Sequence, residues 1–269
     1  MGVLNVTPDS FSDGGRHRDI DDAIRHGRLM VEQGADLVDV GGESTRPGAT
    51  RVDRAEESRR VLPVIRELAA AGVAVSIDTT RAAVAEQALD AGAVVVNDVS
   101  GGLADPSMVK VVAAASVPWV LMHWRGHSRE MEQLATYTDV VTEVIDELKA
   151  RIDDAVAGGV PAQALVIDPG LGFAKRIEHD LALLAHLDRL VAIGLPVLIG
   201  ASRKSFLGRV LAAADGSPRV VSEREVGTAA TTALAAAAGV WGVRVHDVRA
   251  SVDVARVVAA VAASRGPAR

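Results

Sequence analysis

Residues Ala164–Ile199 read ALVIDPGLGFAKRIEHDLALLAHLDRLVAIGLPVLI. The stretch opens on an apolar run, Ala164–Ile167, with no polar alternation, as a parallel strand covered on both faces requires. Asp168 ends the run and a Gly-containing loop follows. The period then changes, because Leu181, Leu184, Leu187 and Val191 recur on one face of a helix. Gly194-Leu195-Pro196 stops that helix, and Pro196–Ile199 begins a second apolar run. This is one strand–helix–strand unit.

The same unit recurs along the chain. Strands are predicted near Met1–Val6, Asp36–Val40, Val73–Ile77, Val94–Val96, Pro118–Met122, Ala164–Ile167, Pro196–Ile199 and Trp241–Val245. Ile20, Ala23, Ile24, Gly27 and Val31 share a face of the first intervening helix; Ser58, Val61, Leu62, Ile65, Leu68 and Ala69 share one in the second. Gly34, Gly72, Gly92, Pro118 and Gly239 punctuate the joins. Eight units in 269 residues predict one domain over 1–269, an α/β single-domain (β/α)8 TIM barrel with its active site at the C-terminal ends of the strands. An open doubly wound sheet is the competitor and would use fewer units. The first strand is expected to start at Met1 itself, which implies either a trimmed chain or an unusually tight start.

Composition narrows the function. Hydrophobic residues are 49% of the chain, enough to fill such a core, and charged residues are 24%, which argues against disorder. The net charge of −6 and pI near 5.7 supply no basic field for nucleic acid. Any anionic ligand must therefore be held by a few placed cations. The absence of cysteine removes disulfides, thiolate nucleophiles and Cys-based metal centres. The N-terminus lacks a signal-peptide pattern, and the most apolar stretch, Thr228–Val240, is too short to span a bilayer, so a cytoplasmic location is expected. Aromatic residues are only 3%, so a flat ligand must be sandwiched by something other than stacked rings.

In this architecture chemistry gathers where the strands end. The ends carry Asn5; Glu43 with Arg46; Asp78; Asn97-Asp98; His123; Asp168; Ser202-Arg203-Lys204-Ser205; and Arg244 with His246. One acid after a strand is usually a helix cap. Eight polar strand ends facing one mouth describe a site. Asp78, Asn97 and Asp168 are short acceptors suited to a heterocycle edge rich in N–H donors, with Lys204 nearby to meet a ring carbonyl or nitrogen. Arg46, Arg244 and His246, with Asn5, suit a diphosphate and a hydrated Mg²⁺, for which Asn5 supplies an amide oxygen. A metal centre built from the acids is the alternative, disfavoured because His123 and His246 lack ligand spacing. The loops after strands one and two are long and polar, as segments that close over substrate are. G-x-x-x-x-G-K-[ST] and G-x-S-x-G are both missing, which weakens nucleotide and serine-hydrolase readings.

Several long motifs now stand in order: Gly2-Val3-Leu4-Asn5-Val6-Thr7-Pro8-Asp9-Ser10-Phe11-Ser12-Asp13-Gly14-Gly15, Asp39-Val40-Gly41-Gly42-Glu43-Ser44-Thr45-Arg46-Pro47-Gly48, Ser76-Ile77-Asp78-Thr79, Val96-Asn97-Asp98, Asp168 to Lys175, Ser202-Arg203-Lys204 and Arg244-Val245-His246-Asp247. Together they make the chain resemble the dihydropteroate synthases over essentially its whole length, with a style similar to the actinobacterial members. The resemblance implies condensation of 6-hydroxymethyl-7,8-dihydropterin diphosphate with p-aminobenzoate, giving 7,8-dihydropteroate and pyrophosphate in folate biosynthesis, a sulfonamide target.

It further implies pterin binding by Asp78, Asn97, Met122, Asp168, Lys204 and Arg244, with Arg244 stacked on the ring. Asn5, Arg46, Arg244 and His246 would hold the diphosphate with Mg²⁺, Asn5 touching the metal. Phe11, Thr45, Pro47, Phe173, Lys204 and Ser205 would line the aminobenzoate pocket, the carboxylate meeting Ser205 or Ser202. Asp13, Lys204, Arg244 and His246 would carry catalysis, Asp13 steadying the cation or the attacking amine. A homodimer through the last helices is implied as well. Two rivals remain at this stage: a pterin-dependent methyltransferase, which would have no use for a diphosphate clamp, and a silent pterin-binding paralogue, which should have lost part of the constellation.

Overall fold

A computed structural model describes residues 1–6, 16–43, 52–126, 131 and 133–264. Six parallel strands pair in chain order: β1 Gly2–Asn5, β2 Val38–Gly41, β3 Val75–Asp78, β4 Val95–Asp98, β5 Trp119–Met122 and β6 Leu165–Asp168. Two short strands, β7 Leu198–Ile199 and β8 Gly242–Val243, pair with each other. Parallel bridges Ile167↔Val197 and Gly2↔Val245 join that pair to both edges of the six and close the ring. The Val3 N–H donates to the Val245 oxygen at 2.9 Å and the Ile167 N–H to the Pro196 oxygen at 2.9 Å, so no sheet edge is left open at either seam.

Register fixes the mouth. Asn5 pairs with Gly41, Gly41 with Asp78 and Asp78 with Asn97, while Met122 pairs with Asp168. Strand-terminal residues therefore stand level around one rim. Below them Leu37, Val95, Val120, Val166 and Leu198 form a buried apolar layer with Met1 packed against it, which fills the barrel floor.

Helices α1 Arg16–Glu32, α2 Arg54–Ala70, α3 Ala82–Asp90, α4 Met108–Ala115 and α5 Val140–Ala157 alternate with the first strands. Asp53 and Asp139 start α2 and α5 as side-chain caps, accepting from Glu56 N at 2.8 Å and from Val141 N and Thr142 N at 3.1 Å. After β6 come α6 Ile177–Ala185 and α7 Leu187–Val191, then α8 Ser205–Val210, α9 Glu225–Ala237 and α10 Val248–Ser264.

Three sequence readings change. The single helix expected after β6 is broken at His186, whose backbone leaves the helical region (φ −122°, ψ 36°). Its buried face is set by Asp180, Leu183, Leu184, Leu187 and Leu190, with Leu181 turned out. Asp180 takes an inward place because its Oδ1 accepts from Gly172 N at 2.7 Å, so a polar residue occupies a core position by capturing a loop amide. In α1 Ala23 and Gly27 of the expected stripe are buried, but Val31 is exposed and Met30 takes the inward place at that end.

Candidate active site

A cavity of about 330 Å³ opens at the rim. Asn5, Asn97, Met122, Asp168, Phe173, Lys204, Ser205, Arg244 and His246 line it, so nine of the expected site residues come together from β1, β4, β5 and β6 and from the segments after β6, β7 and β8. Asp78 lies beside the cavity and is tied into it by its bond to Arg244. Phe11 and Asp13 of the first loop, and Thr45, Arg46 and Pro47 of the second, lie outside the described residues.

The floor is an acid–amide–guanidinium cluster. Arg244 Nε donates to Asp39 Oδ2 at 2.6 Å and its Nη2 to Asp78 Oδ2 at 2.7 Å. Asn97 Nδ2 donates to the same Asp39 Oδ2 at 2.9 Å. Asp39 is fully buried in the middle of β2. Burial pushes the Asp78 carboxyl up to about 7 against the pull of Arg244, with Asp39, Glu57 and Asp98 adding to the rise. Burial acts on Arg244 in the opposite sense, but Asp39 and Asp78 hold the guanidinium charged.

Opposite stands a second polar pair. Asp168 Oδ1 accepts from Gly170 N at 2.7 Å; Gly170 has φ +66°, and a Cβ there would overlap the His123 carbonyl oxygen, so the turn demands glycine. Burial raises the Asp168 carboxyl, opposed by Lys204 and by that amide. Burial lowers Lys204 to about 8, with Asp168 and Asp180 resisting and Arg244 assisting. Lys204 Nζ bonds the Leu171 carbonyl and sits 4.7 Å from the centre of the Phe173 ring. One ammonium thus meets the acid side and the aromatic side of the cavity. Two carboxylates tuned upward and a lysine tuned downward in one cleft are the electrostatic mark of a functional site.

Ser202 and Ser205 separate. The Ser202 hydroxyl oxygen lies 2.9 Å from His246 Nδ1 and accepts from His246 N at 3.2 Å, which fixes the imidazole on the rim. Ser205 begins α8, is exposed and lines the cavity mouth. His123 does not line the cavity. It is buried behind the β6 loop, with Nδ1 2.9 Å from Lys175 Nζ and Nε2 2.9 Å from Glu147 Oε2. Burial, with Lys175 acting in the same direction, lowers its pKa to about 4, so it is neutral at physiological pH.

Sequence reasoning gave no binding role to Asp39 or Arg203, though both stand in its motifs, and passed over Val221 and Arg224; the last three line the cavity. Asp39 carried a signal: a lone acid inside the apolar run Leu37–Val40 must find a partner once buried. Arg224 carried none, since it follows no strand; its place is set by Nη1 donating to the Arg203 oxygen at 2.9 Å and Nε to the Arg219 oxygen at 2.8 Å.

Residues 1–246 match the family of pterin binding enzymes. The chain is 62% identical over 261 residues to the dihydropteroate synthase of Mycobacterium leprae, covering 97% of this chain and 92% of that one. The chain belongs to the dihydropteroate synthase family. Among solved structures it is similar to the Xanthomonas albilineans dihydropteroate synthase with 4-aminobenzoic acid (TM-score 0.89, 44% identity, 100% of this chain and 93% of that one). It is also similar to the Yersinia pestis dihydropteroate synthase in a sulfonamide drug complex (TM-score 0.90, 40% identity, 98% and 94% covered). Among the described residues no cluster of three or more His, Asp or Glu side chains could hold a metal ion by itself.

Proposed function

We propose that this dihydropteroate synthase, as one domain over 1–269, joins 6-hydroxymethyl-7,8-dihydropterin diphosphate to p-aminobenzoate and releases pyrophosphate. The observation that carries this reading is the polar lining: Asn97 and Asp168 stand at one cavity with Arg244 and Lys204, and Asp78 beside it is bonded to Arg244. A pterin edge supplies the N–H groups those acceptors require, and Lys204 meets its ring carbonyl or nitrogen. Met122 packs beside the ring, and Arg244 gives a flat cationic face in a site whose described lining holds Phe173 as its one Phe, Tyr or Trp side chain.

Asn5, Arg46, Arg244 and His246 take the diphosphate. Asn5 offers a hard, neutral amide oxygen, which fits a Mg²⁺ held chiefly by the diphosphate and water. When bound, that ion neutralises charge on the leaving group. The C–O bond to the diphosphate breaks as, or before, the aminobenzoate nitrogen bonds to the methylene carbon, and the proton the amine loses passes to water or to the departing pyrophosphate. The pterin ring carries the developing positive charge, so no protein nucleophile is required. Lys204, Arg244 and His246 act electrostatically, and Asp13 steadies the cation or the amine. Phe11, Thr45, Pro47, Phe173, Lys204 and Ser205 surround the aminobenzoate, Ser205 meeting its carboxylate. Sulfonamides, which copy that ring, should compete there.

A homodimer through α9 and α10 belongs to the same proposal, supported by exposed Val226, Leu234, Val257 and Val261 on those helices and Trp241 beside them. The compartment that goes with it is the cytoplasm; no described helix is long and apolar enough to cross a membrane.

Purified protein with Mg²⁺ and both substrates should release pyrophosphate and form dihydropteroate in equal amounts. Omitting the amine, or making Lys204→Ala, should abolish both products. Pterin binding without turnover would instead indicate a silent paralogue or a methyltransferase.

A further inference from the structure

Asp39 is fully buried within β2 and does not line the cavity, yet it touches two residues that do. Both bonds fall on one oxygen: Oδ2 accepts from Asn97 Nδ2 at 2.9 Å and from Arg244 Nε at 2.6 Å. Oδ1 is buried and has no hydrogen-bond partner among the described residues.

A carboxylate only accepts, so the Asn97 side chain must turn its NH₂ toward Asp39 and its Oδ1 away. That choice decides whether the cavity meets an acceptor or a donor at this position. We propose that Asp39 is a positioning residue that sets the donor–acceptor polarity of the pterin end: it pins the Asn97 amide so that Oδ1 serves as an acceptor, and it holds Arg244 across the floor. The site thereby selects a heterocycle edge made of N–H donors over an isostere that presents acceptors there. The inference rests on the cavity being the pterin site.

The test is isothermal titration with 6-hydroxymethyl-7,8-dihydropterin diphosphate and Mg²⁺, alongside the KM for p-aminobenzoate. In D39N the introduced amide can donate to Asn97 Oδ1, which turns the Asn97 NH₂ toward the ligand's own donors. Pterin affinity should fall about ten- to a hundredfold, the range of a hydrogen bond involving a charged group. The KM for aminobenzoate should stay within about threefold, since that ring lies at the other end of the cavity. N97D sets two carboxylates face to face and should also weaken pterin binding. The D39N/N97D swap restores one donor facing one acceptor and keeps the net charge, so it should recover affinity over both single variants.

Recovery in the swap is the signature that a merely structural role would not give. A swap no better than the weaker single variant overturns the proposal, as does D39N binding pterin like the wild type. If D39N does not fold, N97D against the swap decides the same point. Failure of the wild type to bind pterin at all is a separate result: it removes the functional reading, and the polarity argument with it.

Discussion

The molecule carries two charge clusters near the cavity, one on the strands and one, half-buried, behind the β6 loop, and they do different work. The inner one, Asp39, Asp78, Asn97 and Arg244, rides on strands or the residues just after them, and its Asn97 and Arg244 line the cavity. The outer one joins Lys175, His123, Glu147, Arg125, Glu143 and Tyr137 behind that loop, and none of its members lines the cavity. Lys175 Nζ donates to the Phe173 carbonyl at 3.0 Å and the Tyr137 hydroxyl to the Ala174 carbonyl at 3.1 Å, so this cluster grips the backbone that carries Phe173. Arg125 pairs with Glu147 and Glu143 and lies 3.8 Å from the Tyr137 ring centre, which braces the tyrosine. Asn97 and Arg244 of the inner cluster line the cavity. The outer cluster holds the backbone that carries Phe173.

The comparison breaks most sharply at Arg244. Arg244→Leu removes the only basic side chain bonded to Asp39 and Asp78 among the described residues, leaving two buried carboxylates unpaired. A loss of about 3–5 kcal/mol in unfolding free energy is expected near neutral pH. The sign with pH follows from Asp78, whose folded pKa near 7 lies above its ordinary 3.8. Stability from its protonated form is present at low pH and lost as pH rises through 7. Removing Arg244 raises that pKa further, so the deficit should shrink from pH 8 to pH 5. A deficit independent of pH in urea titrations would mean that the carboxylates are not the cause.

Lys175 sharpens the other side. Burial brings its ammonium down to about 7 from 10.5, with Asp180 and Asp168 resisting and Lys204 and Arg125 assisting. A base with a depressed folded pKa gains native stability as pH rises from about 7 toward 10.5. Lys175→Met loses the bonds to His123 and Phe173 and should cost about 1–3 kcal/mol at pH 7. It should also lose the rise with pH, so its Tm gap to the wild type widens between pH 7 and 9. Pterin affinity should change far less than in D39N. Equal losses in the two would make the clusters one unit.

Sequence reading reached the inner cluster apart from Asp39 and missed most of the outer one for a physical reason. Asp78, Asn97, Asp168 and Arg244 close apolar runs, and a closed barrel brings such residues to one rim whatever their separation in sequence. Glu147 and Glu143 lie on α5, where acids on a helix look like an ordinary solvated face; only packing shows that they reach Arg125 and His123. Likewise Asp180 reads as a surface residue of α6 until Gly172 N is found bonded to it. The short β7 and β8 were legible because their apolar runs extend past the paired residues, though only two residues of each form ladder. Asp39 sits between these cases: its oddity was visible in an apolar strand, but its partners, Asn97 and Arg244, are 58 and 205 residues away.

The smallest effect tests whether the outer cluster acts through the loop backbone alone. Tyr137→Phe keeps the ring, and with it the Arg125 contact and the edge-on packing with His179 at 4.8 Å, but removes the hydroxyl that bonds the Ala174 carbonyl. Ala174 has φ +47°, a left-handed conformation that a non-glycine residue holds only under outside constraint. Loss of one partly buried hydrogen bond should cost about 0.5–1.5 kcal/mol in thermal unfolding. Because Phe173 precedes the released residue, the KM for aminobenzoate should rise modestly while pterin affinity stays unchanged. Ala174→Gly in the Tyr137→Phe background should return part of the lost stability, since glycine occupies the left-handed region without strain. A pterin affinity that moved with either change would mean that the loop transmits to the floor, and the division between the two clusters would fail at its weakest contact.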